Sequence, residues 1–131
     1  MWSFHHTGIL VGNMEEAIAN YAGIFGESSV SQIYEIESQK VKVCFIRMPN
    51  NVYVELVQPL NENSAVYKLL KRNTSYYHIG YTVSDIMEEV QKLVKLNYKP
   101  LEFFNSEAFE GNKCILLLSP DAHLIELIEA N

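Results

Sequence analysis

Two stretches decide how this chain folds: His6-Thr7-Gly8-Ile9-Leu10-Val11 and, 72 residues later (78 − 6), His78-Ile79-Gly80-Tyr81-Thr82-Val83. Each opens with a histidine, carries glycine two residues on, and continues as an apolar strand-like run. The segments that follow repeat as well. Asn13 with Glu16, and Asp85 with Glu88, are capping-box pairs, a short polar N-cap followed three residues later by Glu. The spacing predicts a helix over Met14 to Phe25, with Ala17, Ile18, Tyr21, Ile24 and Phe25 on its apolar face and Gly26 as its stop. A second helix over Ile86 to Leu96 aligns Ile86, Val90, Leu93 and Val94 and ends near Asn97.

Three strand-like runs come after each helix: Val30 to Ile36, Lys40 to Met48 and Asn51 to Gln58, then Pro100 to Asn105, Lys113 to Ser119 and His123 to Glu129. The reading is an α+β fold of two βαβββ modules, module 1 over 1–58 and module 2 over 76–131. Between them, 59–75 holds a short connector helix. Asn63 or Ser64 caps it, and Ala65, Val66, Leu69 and Leu70 form its stripe. The whole is expected to be one domain of 131 residues, long enough to bury a core without disulfides or structural metal.

Composition removes several function classes. A net charge of −6 argues against a nucleic-acid partner, which needs a basic stripe. Lys40, Lys42 and Arg47 form a small basic group, read as a solvated strand face or as a receiver of a substrate phosphate. No apolar run approaches a membrane span, and Met1 to Ser3 carries no basic leader, so neither a membrane anchor nor a secretory signal is expected. Cys44 and Cys114 sit in apolar runs without metal-type spacing, which suits buried thiols in a reducing cytoplasm.

Chemistry is concentrated in four residues. Glu55 lies within Val52-Tyr53-Val54-Glu55-Leu56-Val57 and Glu126 within Leu124-Ile125-Glu126-Leu127-Ile128. Their same-face neighbours are apolar, so each carboxylate is expected in a semi-enclosed cleft, wanting a compensating charge. His6 precedes Glu55 by 49 residues (55 − 6), and His78 precedes Glu126 by 48 (126 − 78). A strand histidine alone is more often structural, but the same pair twice is a pattern. Two imidazoles and two carboxylates make a borderline-hard divalent site, for zinc, nickel, cobalt or manganese, with positions left for substrate oxygens. Alternation aims His5 to the other face from His6 and makes it a bystander.

With these residues in view the chain resembles the vicinal oxygen chelate superfamily, which contains glyoxalase I, methylmalonyl-CoA epimerase, extradiol dioxygenases and resistance proteins. The resemblance covers essentially the whole chain. It implies that the paired modules form a curved, cup-like mixed sheet, that His6, Glu55, His78 and Glu126 are the metal ligands, and that the protein is a homodimer. Val54-Glu55-Leu56-Val57-Gln58-Pro59-Leu60, Asn63-Ser64 and the helix through Leu70 are most similar to the epimerase branch, as are Phe4-His5-His6-Thr7-Gly8-Ile9 and Tyr77-His78-Ile79-Gly80. Ser119-Pro120-Asp121-Ala122-His123-Leu124 instead resembles the shorter glyoxalase-type turn, and Val41-Lys42-Val43-Cys44-Phe45 offers no carboxylate as a separate base.

The resemblance therefore implies a divalent-metal-dependent isomerase or epimerase working through an enolate or enediolate on a small carbonyl or thioester substrate, with Glu126 or Glu55 moving the proton. The substrate class is an acyl-CoA or a glutathione hemithioacetal or thioester. Two alternatives stand beside it. One is a lactoylglutathione lyase of the glyoxalase I kind; the other is a non-catalytic drug-binding resistance protein, whose apolar cup Trp2, Tyr53, Tyr77 and Tyr81 would line. Tyr76, Tyr77 and Tyr81 are read as pocket or packing residues, Glu107 and Glu110 as a solvated loop or lid, and His123 as exposed.

Overall fold

A computed structural model describes residues 1–130; Asn131, the last residue of the expected second module, lies outside them. The chain divides into two compact units, Met1–His5 with the residues from His78 onward, and His6–Tyr77. The division falls between the two adjacent histidines, and it places 59–75 in the first module's unit.

In the unit of residues 6–77 the elements are β1 (Ser3–Leu10, from His6 on), α1 (Met14–Phe25), β2 (Val30–Ile36), β3 (Val41–Arg47), β4 (Tyr53–Pro59) and α2 (Ala65–Lys71). The strands lie in the order β2-β3-β4-β1, with β1 parallel to β4 and the other pairs antiparallel. The other unit repeats this with β5 (Tyr76–Val83, from His78 on), α3 (Ile86–Lys95), β6 (Lys99–Ser106), β7 (Asn112–Leu118) and β8 (Leu124–Glu129), in the order β5-β8-β7-β6. Again the first and last strands are parallel and the rest antiparallel.

The helix starts are built alike. The Asn13 side chain accepts from the Glu16 N–H at 3.0 Å, and Asp85 from the Glu88 N–H at 3.1 Å. The first N–H of each helix is satisfied from the last strand of its own module: Met14 donates to Gln58 Oε1 at 2.7 Å and Ile86 to Glu129 Oε2 at 3.0 Å. Each βαβββ unit is thereby tied shut at one end.

Burial corrects the expected helix stripes. Met14 is the buried residue of α1, whereas Ile24 is 72% exposed in the last turn, beyond where burial ends. In α3, Ile86, Val90 and Leu93 are buried, but Val94 is exposed because it lies about 80° around the helix from Ile86. Under α1 the core is Met14, Cys44, Ile46 and Leu56; under α3 it is Val83, Ile86, Val90, Leu93, Ile115, Leu117 and Leu127. Both cysteines are buried thiols, and burial pushes the Cys44 thiol above its ordinary range in spite of its hydrogen bonds with Ser31. These cores occupy the helix face of each sheet and leave the opposite face for other work.

Candidate functional site

Alternation places Leu56 of β4 and Leu127 of β8 in the helix-side cores, so Glu55 and Glu126 point to the other face. In the parallel ladders Gly8 stands opposite Glu55, and Gly80 opposite Glu126. Glycine has no side chain to fill the place beside the carboxylate, which leaves it open toward the histidine two residues earlier. This gives the His-x-Gly spacing a physical reason.

The outcome is the same in both modules. His6 Nε2 lies 3.3 Å from Glu55 Oε1, and His78 Nε2 lies 3.3 Å from Glu126 Oε1. All four residues are buried, at 0%, 4%, 3% and 5% exposure for His6, Glu55, His78 and Glu126. The separation is long for a charge-assisted hydrogen bond, which closes to about 2.7–2.9 Å. It suits two donors sharing one cation: bonds of about 2.1 Å at neighbouring positions put the donor atoms about 3.0–3.4 Å apart. The donor types, imidazole nitrogen and carboxylate oxygen, fit zinc, nickel, cobalt or manganese.

Other candidates fall away from these pairs. His5 is half-buried with its ring edge-on to Phe109 at 5.3 Å, as strand alternation expects for a residue facing away from His6. The proposed pocket lining by Trp2, Tyr77 and Tyr81 is corrected. Trp2 and Tyr81 pack on the α3-side core, 5.3 Å apart, with Trp2 Nε1 donating to Glu89 at 2.6 Å. Tyr77 shares their side of β5 by alternation, while Tyr76 is exposed. Tyr53 alone of that set lies on a carboxylate's face, two residues before Glu55 on β4.

The basic group does not converge either. Lys42 pairs across the strands with Glu35 and shares the helix face with Cys44, whereas Arg47 lies on the opposite face of β3, across from Tyr53. Glu107, Glu110 and His123 are exposed. The 119–124 turn is closed by its own bonds: Ser119 Oγ donates to Asp121 at 2.9 Å and accepts from the His123 N–H at 2.9 Å. Phe45, unmarked by any local pattern in the sequence, pairs across the strands with Glu55 and meets the His6 ring edge-on at 5.7 Å. Its signal is hairpin register, since counting back through the Met48-Pro49-Asn50 turn sets Phe45 opposite Glu55.

Residues 5–130 match the family model of the Glyoxalase/Bleomycin resistance protein/Dioxygenase superfamily. The chain belongs to that superfamily. It is 30% identical over 128 residues to the uncharacterized protein YqjC of Bacillus subtilis, covering 95% of this chain and 89% of that one. It is 30% identical over 118 residues to the ethylmalonyl-CoA/methylmalonyl-CoA epimerase of Cereibacter sphaeroides, covering 88% of this chain and 87% of that one. The crystal structure of methylmalonyl-CoA epimerase from Mycobacterium tuberculosis superposes with a TM-score of 0.85 at 21% identity, over 98% of this chain and 87% of that one. The chain therefore has the glyoxalase-like fold, α+β with two βαβββ modules. Among the described residues no helix is long and apolar enough to cross a membrane.

Proposed function

We propose that His6, Glu55, His78 and Glu126 together hold one divalent cation, and that the protein is an epimerase or isomerase of a small acyl-CoA or related carbonyl substrate. The observation that carries the reading is the duplicated buried His–Glu pair, each opposed at 3.3 Å. Either pair alone supplies two donors, which is half of an ordinary set. Similarity to CoA-ester epimerases supports the substrate class.

A divalent ion held by these four residues would supply a Lewis acid, which lowers the cost of removing a proton from the carbon α to a carbonyl. The chain's own part is the proton. A carboxylate oxygen of Glu126 or Glu55 takes it as the C–H bond breaks and the electron pair moves toward the carbonyl. Delivering a proton to the opposite face of the same carbon, once the planar enolate has turned that face to the carboxylate, is epimerisation; delivering it to the neighbouring carbon is isomerisation. The strand facing Glu55 presents Val41, Val43 and Phe45, with no carboxylate among them, so the base is one of the two ligand glutamates. That observation also favours a second reading, a glyoxalase I-type lyase acting on a glutathione hemithioacetal, in which a ligand carboxylate serves as base.

The reading takes the whole chain as one domain of module 1 (1–58), connector (59–75) and module 2 (76–131), working as a cytoplasmic homodimer. Its test is deuterium exchange at the α carbon of methylmalonyl-CoA and of a glutathione hemithioacetal, with and without chelator. Chelator-sensitive exchange into one of them supports the reading and names the branch. Exchange into neither removes both activities, and ligand binding that survives complete metal removal would favour a drug-binding protein.

A further inference from the structure

The two His–Glu pairs share their internal geometry but not their walls. Across the strand from Glu55 stands Phe45, and two residues before it on β4 stands Tyr53; the corresponding places beside Glu126 hold Leu116 and Leu124. The rings of module 1 form a chain. His6 meets Phe45 at 5.7 Å with the planes 84° apart, and Phe45 meets Tyr53 at 6.0 Å and 85°. Phe45 is 6% exposed, so it is held on both sides and has little room to turn.

We propose that Phe45 is a positioning residue that acts through His6, fixing the imidazole plane so that Nε2 stays aimed at the Glu55 carboxylate and the cation; this rests on the metal-centre reading above. The torsion that turns an imidazole is broad, so neighbours decide where its nitrogens point. Edge-to-face rings attract because the positive edge of one meets the negative face of the other. Leucine fills similar space and supplies no such contact. Module 1 is therefore the preset half of the ligand set, with Tyr53 as the second ring that steadies Phe45.

The test titrates cobalt(II) into metal-free protein by calorimetry, for the wild type, Phe45→Leu and Phe45→Tyr, with the His6 Cε1–H proton resonance and the metal-free melting temperature recorded for each. The expected result is about a five-fold loss of affinity in Phe45→Leu, the size that one aromatic pair accounts for, and wild-type affinity in Phe45→Tyr. The His6 resonance, displaced by the ring current of Phe45, moves in Phe45→Leu and stays in Phe45→Tyr. Equal affinity of Phe45→Leu and wild type overturns the proposal and leaves the metal reading standing. Equal losses in both variants overturn it too, since bulk rather than the ring would then be at work. Should Phe45→Leu fail to fold, Tyr53→Leu, at a half-buried ring, must move the His6 resonance and weaken binding; no change in either overturns the proposal. A wild type that binds no cation sinks the metal reading itself, and the His6 resonance then decides alone whether Phe45 sets the ring.

Discussion

Set side by side, the two modules agree wherever the backbone dictates the result and differ wherever only packing does. The pairs His6–Glu55 and His78–Glu126 have the same 3.3 Å approach, because in each a glycine sits opposite the glutamate and the histidine two residues before it on a parallel strand. The helices begin alike, with a side-chain cap and a bond from the last strand to the first N–H. The walls differ, aromatic in one and aliphatic in the other. Parallel register is enough to build a half-site, and side chains around it are left to tune it.

The largest effect should come from breaking the equivalence of the carboxylates. Glu55→Gln and Glu126→Gln each keep shape and remove a charge. One of the two is expected to lose turnover by about 10²–10⁴-fold, the weight of a positioned general base, and the other to lose mainly cation affinity. Full turnover in both variants, with cation bound, would end the assignment of a ligand glutamate as base. Next in size are the helix starts: Asn13→Ala and Asp85→Ala should each cost about 1 kcal/mol in denaturant unfolding. Asp85→Ala should cost the more, by a few tenths, because a charged cap also meets the helix dipole. Equal losses would remove the dipole contribution, and negligible losses would show that the bonds from Gln58 and Glu129 carry the helix starts alone.

A smaller effect concerns Glu89, whose carboxyl is held below its usual range first by the Trp2 indole bond and then by Lys92. A depressed folded-state value stabilises above the unfolded value, near pH 4.3 for glutamate, and is lost as pH falls through the folded one. The melting-temperature gap between wild type and Glu89→Gln should thus be widest near neutrality and close below about pH 4. A gap that persists in acid would assign it to packing. His5→Ala should be the quietest change, leaving cation affinity within about two-fold of wild type by the usual scale for substitutions away from a site. A larger loss would place His5 among the groups that support the ligands.

Much of this architecture is legible in the sequence because the duplication prints each signal twice. The caps at Asn13 and Asp85, the helix start at Met14 and the strand at Val30–Ile36 are local and repeat, so they are read to within a residue or so of the structure. The pairing of His6 with Glu55 was legible only through repetition, as no local rule joins residues 49 apart (55 − 6). What was misread needed parity or tertiary context. Tyr77 and Tyr81 are odd-numbered along β5 where His78 and Gly80 are even, so alternation turns both away from the histidine's face, and Tyr81 packs on the core under α3. Ile24 keeps the angular phase of its stripe but lies past its packing partners. Phe45, and the caps from Gln58 and Glu129, depend on strand register across the sheet and leave no mark in a short window.

Metal content tells whether the two half-sites make one centre. Untagged protein, wild type, His6→Ala and His78→Ala, would be assayed for divalent metal per chain after extensive dialysis. One ion per chain is expected in the wild type, and its loss is expected in both variants, one from each module. An ion that stays bound in either variant, or a wild type that holds none, would contradict it.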